Sequence, residues 1–181
     1  MQDRMSPETA SQKDIRFMTA ALDMARTALA GGEFPVGCVI ADGRNVVARG
    51  HRTGTAVGPG NEIDHAEINA LRRLCEDGAG GDRAALTLYC TMEPCLMCFS
   101  ATVLSGIGRI VYAYEDVMGG GTGVDRSGLP SLYREARLKV IAGVLRKESL
   151  VLFQRFFADP GRSYWADSLL SRYTLAQPGC S

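Results

Sequence analysis

His65, Glu67, Cys95 and Cys98 are the residues of this sequence whose types and spacing can do chemistry; they lie in "HAE" (65–67) and "PCLMC" (94–98). Two thiols three positions apart in a first helical turn fall on one face, so Cys95 and Cys98 can share a metal ion. The positive end of a helix favours the thiolate form that binds metal. His65 supplies a third donor of the kind Zn²⁺ takes. Three protein ligands leave one tetrahedral position for water, which is the arrangement of a catalytic zinc. Glu67, two residues beyond His65, points in a different direction on a helix and is a poor fourth ligand. From the same first turn, however, it can reach a pocket off the helix end, take a proton from the activated water and return it to a leaving group. The residues alone therefore read as a hydrolytic zinc site with Glu67 as proton shuttle. Two plainer readings stand beside it. One is a core histidine with two buried thiols; the other is a closed structural zinc completed by His51, Cys75 or Cys90. A structural site has no need of Glu67.

The elements that must position these groups follow from the rest of the chain. Its 181 residues are 46% hydrophobic and 22% charged, with twenty Lys and Arg against twenty Asp and Glu. That is sized for one globular domain and gives no overall positive field for phosphates or anionic membranes. No apolar run approaches a membrane span and the start is polar, so the expectation is a cytoplasmic protein with no membrane partner. A flexible segment 1–13 precedes a single domain 14–181 with a C-terminal helical tail. Ile15, Met18, Leu22, Ala25 and Leu29 predict a helix from about Lys13 to Ala30. "PVGCVIA" and "NVVARG" predict a hairpin around Asp42-Gly43. A helix from about Asp64 to Glu76 and a buried strand "ALTLYCT" follow, then a helix beginning at Pro94 and stopping at Gly106. "RIVYAY" and "LKVIAG" predict two more strands, and Arg146 to Phe157 a helix. The alternation is that of an α/β layered domain. Cys38 and Cys90 are read as core, "MGGGTG" as a connector with a mobile lid as the alternative, and Trp165, Leu169 and Tyr173 as a packing stripe on a last helix or, alternatively, a cover for substrate.

"HAE" followed by "PCLMC" matches the H-x-E…P-C-x-x-C signature of the zinc-dependent nucleoside and nucleobase deaminases. "EFPVGCVIA", "HAEINAL", "TMEPCLMCFSA" and "LSGIGRIVY" extend the likeness over residues 15 to 115. In order and spacing the set resembles bacterial tRNA-specific adenosine deaminases and the related guanine deaminases. The resemblance implies a three-layer α/β/α cytidine-deaminase-like fold with a mixed five-stranded sheet, a Zn²⁺ cofactor, a homodimer, and hydrolytic deamination that releases ammonia. It also implies that the backbone at Ala66 and at Met92, Glu93 and Pro94 reads the ring edge of the base. The chain departs from the tRNA enzymes in two places. Arg52 stands where they carry an asparagine, and the tail after "FQRFF" balances Arg162 and Arg172 against Asp159 and Asp167. Selection is then expected from His51, Arg52, Phe156, Phe157 and Trp165, with the cation at 52 favouring a ligand that carries an acceptor or negative group. The expected substrate is a small nucleobase or nucleoside, of purine type. The alternative is a tRNA adenosine held by a basic groove of Arg49, Arg52, Arg72, Arg73 and Arg83, and the second alternative is a non-catalytic zinc-stabilised binding module.

Overall fold

Helix α1 (Gln12–Ala30) begins at a capping box in which the Ser11 hydroxyl accepts from the Asp14 amide and the Asp14 carboxylate accepts from the Ser11 amide. The computed structural model describes residues 10–56, 60–78 and 81–179. Most of the expected flexible segment, residues 1–9, lies outside the described residues, while Gln12 and Lys13 already belong to α1. Its buried stripe is Phe17, Met18, Ala21, Leu22, Ala25 and Ala28. Ile15 is exposed, because Asp14 takes the inward position at that level to receive Arg109 and the Tyr89 hydroxyl.

Five strands form one sheet in the order β2-β1-β3-β4-β5: β1 Gly37–Ala41, β2 Val46–His51, β3 Thr87–Met92, β4 Arg109–Tyr114 and β5 Lys139–Ile141. The β1 strand pairs antiparallel with β2 and β3, whereas β3-β4 and β4-β5 are parallel, so the sheet is mixed as expected. The hairpin turns where the sequence places it. Asp42 accepts the amides of Arg44 and Asn45 through its side chain, and Gly43 takes φ 87°. Helices α2 (Ala66–Glu76) and α3 (Leu96–Leu104) cover one face of the sheet. There Ala66, Ala70, Leu74 and Phe99 bury Cys38, Ile40, Leu88, Cys90 and Ile110. On the other face α1 covers Val39, Tyr89, Val111 and Ala113, and α5 (Arg146–Phe157) packs beside it, Leu152 against Leu22 and Ala25. Two further helices are short, α4 (Ser131–Arg134) between β4 and β5 and α6 (Leu169–Ala176) at the end. The helical turn of α4 and the exact start of α6 are not legible from periodicity. Among the described residues, no helix is long and apolar enough to cross a membrane.

Glycine sets how closely α2 approaches the sheet. A Cβ at Gly50 would run into the Ala66 carbonyl and the Ala70 amide nitrogen, backbone atoms that cannot swing aside. Since Ala66 follows the metal-ligand candidate His65, this contact also fixes where α2 starts relative to β2. Gly50→Ala should cost about 1–3 kcal/mol of stability or more as overpacking and should weaken zinc retention as well. Chemical denaturation and metal analysis of the variant check this; wild-type values in both would show that α2 can shift freely.

Candidate active site

His65 and Cys95 are both N-cap residues, of α2 and α3 respectively, with nearly the same extended backbone: φ −65°, ψ 154° for His65 and φ −65°, ψ 171° for Cys95. Neither side chain caps its own helix. Each therefore projects off a helix end, and the two ends converge. Both helices start two residues later than the sequence predicts: α2 begins at Ala66 rather than Asp64, and α3 at Leu96 rather than Pro94. The physical reason is the same at both ends, since the ligand residue adopts the non-helical cap conformation and only Cys98 sits within a first helical turn. Loop contacts hold the approach to α2. Asn69 donates through Nδ2 to the carbonyls of His51 and Asp64, and the Thr53 amide donates to the Asp64 carbonyl.

The Nδ1 atom of His65 lies 3.6 Å from the Cys95 sulfur and 3.5 Å from the Cys98 sulfur, and the donor atoms of all three lie within 4.8 Å of one another. Tetrahedral zinc, with Zn–S about 2.3 Å and Zn–N about 2.0–2.1 Å, places its sulfur and nitrogen donors roughly 3.5–3.6 Å apart. The spacing fits that ion, and the donor set of two thiols and an imidazole is one Zn²⁺ takes. Among themselves the three groups share out protons unevenly. The Cys98 thiol donates to Cys95 and, with His65 adding to it against the opposing effect of burial, holds the Cys95 thiol down to about 4. Cys98 is pushed far up by that same bond, by burial and by the charge of Glu67. Burial alone would lower His65, but the Cys95 bond and Glu67 outweigh it and raise it. A divalent cation at their centre would deprotonate both thiols and relieve this crowding.

Beside the donors lies a small pocket of about 70 Å³. Glu67, only 3% exposed, lines it from the first turn of α2 together with Ala66. Burial pushes its carboxyl up, partly opposed by the charge of His65. Met92 and Glu93 line the pocket from the end of β3, and Arg52 and Trp165 from its rim. The Glu93 carboxylate is committed to the loop behind it, accepting from the Asp116 amide and from both the amide and hydroxyl of Thr122. The "MGGGTG" stretch is thus a fixed connector pinned against α3: the Gly121 amide donates to the Pro94 carbonyl, and Cβ atoms at Gly120 or Gly121 would collide with Glu93 or with the backbone of Leu96.

Three sequence-predicted contacts fall elsewhere. His51 ends β2 with Nδ1 against the Arg52 carbonyl and does not line the pocket. Phe156 is 1% exposed and lies in the core behind Phe34, edge-on at 5.1 Å, because α5 turns that face to the sheet. Pro94 is buried and does not line the pocket. Arg52 does line the pocket, but its charge is already answered: Nη2 donates to Glu62 at 3.1 Å, and the side chain is 2% exposed. The sequence reading expects this cation to meet an acceptor or negative group of the ligand; in the fold it meets Glu62. Of the residues of the expected basic groove, Arg72 pairs with Asp64 and Arg73 donates to the Arg49 carbonyl. Trp165 lies in the turn before α6, not on it, and Leu169 is exposed while Leu170 and Thr174 are buried, so the predicted stripe is broken. Phe34, Val36, Asp116, Gly119 and Tyr164 also line the pocket and were missed. Only Phe34, in "EFP" beside the first strand, carried a usable sequence signal.

Residues 11–114 match the family described as the cytidine and deoxycytidylate deaminase zinc-binding region. A tRNA-specific adenosine deaminase of Haemophilus influenzae is 34% identical over 148 residues, covering 81% of this chain and 84% of that protein. Among solved structures, one from a study of A-to-I editing by tRNA:A34 deaminases superposes with a TM-score of 0.63 at 35% identity, over 76% of this chain and 98% of that one. Another, in complex with 2,6-diaminopurine, superposes with a TM-score of 0.65 at 25% identity over 86% of each chain. Helix-end ligands at zinc spacing, a buried carboxylate beside them and the match across more than half of its length together place this chain in the zinc-dependent cytidine and deoxycytidylate deaminase family.

Proposed function

We propose that His65, Cys95 and Cys98 hold the zinc of this deaminase and that Glu67 is its proton shuttle in the hydrolytic deamination of a purine-type nucleobase or nucleoside. The observation that carries the reading is the donor triad at tetrahedral zinc spacing, with a 3%-exposed carboxylate in the same pocket. A zinc ion held there supplies the Lewis acid that makes water a competent nucleophile near neutral pH. Glu67 then accepts the proton of the attacking water and delivers it to the departing amine nitrogen, so one carboxyl serves both halves of the reaction. Burial suits it to that exchange by making its protonated form accessible. Ala66 and the Met92–Glu93 turn form the walls that orient the ring, and Phe34 and Trp165 offer apolar faces for it. Residues 14–181 act as one domain in this reading, and the exposed Leu96 and Leu104 of α3 support the homodimer.

The purine preference rests on the small, partly aromatic pocket and on the likeness to a structure that binds 2,6-diaminopurine. The second reading, a tRNA adenosine flipped into the pocket, is favoured by the names of relatives at 30–34% identity. Ammonia release across adenine, guanine and cytosine compounds and a tRNA substrate tests the choice. The favoured reading expects turnover of a free base or nucleoside with little dependence on salt. Inosine formation in tRNA with affinity falling steeply as salt rises would establish the other.

A further inference from the structure

Tyr164 and Trp165 close one side of the pocket, and both lie outside the family-matched residues 11–114. Their rings stack at 5.2 Å with an interplanar angle of 11°, and both contact Phe34, at 5.3 and 5.8 Å. The backbone that presents them is unusual. Trp165 has φ 52° and Asp167 φ 61°, left-handed values that a bulky aromatic residue adopts only where its surroundings impose them.

The surroundings do so from two sides. On the pocket side the Tyr164 hydroxyl donates to Glu62 Oε2 at 2.9 Å, and Arg52 Nη2 donates to the same oxygen at 3.1 Å while lying 3.3 Å from the Tyr164 hydroxyl. On the other side Arg162 Nη1 donates to the Gly32 carbonyl at 2.6 Å and rests over the Phe156 ring. Arg52 is itself fixed, its amide donating to Val36 and its Nη1 to the Thr53 carbonyl. A buried cation and a carboxylate ten positions apart thus meet a phenol 112 positions from the cation, beside the pocket rim.

We propose that Arg52, Glu62 and Tyr164 form a latch that holds the Tyr164–Trp165 turn over the pocket, and that this turn determines specificity by admitting a free base or small heterocycle while excluding a nucleotide embedded in RNA. The inference rests on the deaminase reading above and narrows it. A base within RNA brings a ribose and flanking phosphates to the mouth. There it meets two aromatic rings and the half-exposed Glu62, while Arg52, the arginine that lines the pocket among the described residues, is already paired with that carboxylate. A free base has no such baggage and gains two aromatic faces to lie against.

Trp165 is the sole tryptophan of the sequence, so its emission reports on the roof directly. The test uses the full zinc-loaded chain with adenine, guanine and 2,6-diaminopurine, their ribonucleosides and an adenosine-containing RNA hairpin. Wild type should show quenched Trp165 emission on binding its base and a kcat/KM for that base at least tenfold above the nucleoside. In Glu62→Gln and Tyr164→Phe, loss of a charge-assisted bond should raise KM for the base about tenfold with kcat held within about threefold. The ratio of base to hairpin turnover should fall by a similar factor. Thermal melts and zinc content confirm that each variant is folded. Ammonia released with ratios unmoved by the latch variants, or a wild type that prefers the hairpin, overturns the latch alone. Ammonia from no compound overturns the deaminase reading, and the latch proposal with it.

Discussion

Glu67→Gln should lose about 10²- to 10⁴-fold in turnover, the range typical of a removed proton-transfer group, and should sit at the upper end because the same carboxyl acts on both water and amine. Zinc content should stay at the wild-type level, since Glu67 is not one of the three clustered donors. No other carboxylate of the pocket can readily take over. Glu93 is occupied by Thr122 and the Asp116 amide, and Asp116 spends Oδ1 on the amides of Met118 and Gly119. The substitution is also informative about stability. A buried carboxylate whose charge is disfavoured by its surroundings costs the fold something, so the isosteric amide should melt at or above the wild-type temperature. Turnover lost together with a raised or unchanged melting temperature separates a chemical role from a structural one. A variant with near-wild-type turnover would remove Glu67 from the mechanism.

The chemistry was legible because the zinc ligands are rare residue types at short spacings, and the sheet because "RIVYAY" and the Asp42-Gly43 hairpin carry strong local signals. The ends of α2 and α3 were misplaced for a reason internal to the site. His65 and Cys95 are not capping residues by type, so nothing in local propensity marks them as caps, and each helix starts just after its candidate metal ligand. The rim was the least legible part. Arg52, Glu62 and Tyr164 are separated by up to 112 positions, and no periodicity relates them. Their meeting also reversed the sense of Arg52, which alone in the sequence reads as an anion receptor and in the fold is half of an ion pair. Trp165 was assigned to a helix because it lies four and eight positions before Leu169 and Tyr173, whereas its left-handed backbone places it in the turn that faces the pocket.

Replacing a metal ligand should have the other large effect. Cys98→Ser and His65→Ala each leave two soft donors, and their zinc affinity should fall by more than the roughly 10–100-fold seen when only a partner of a ligand is removed. A loss on the order of 10³-fold or more is expected, with turnover falling to background in parallel. Stability should follow, because an ion held by these donors would tie the start of α2 to the start of α3 and so link two helices that lie on the same face of the sheet. Wild type treated with a chelator should therefore melt lower than zinc-loaded protein, while Cys98→Ser should melt at one temperature with or without chelator. Equal zinc in wild type and both variants would exclude the triad as the metal site.

The most direct test of the whole account is ammonia release by zinc-loaded Glu67→Gln set against zinc-loaded wild type, on the compound that wild type turns over best. The account predicts about one zinc per chain in both proteins and a loss of at least about 10²-fold in ammonia release confined to the variant. Full activity in a zinc-loaded Glu67→Gln protein would contradict it.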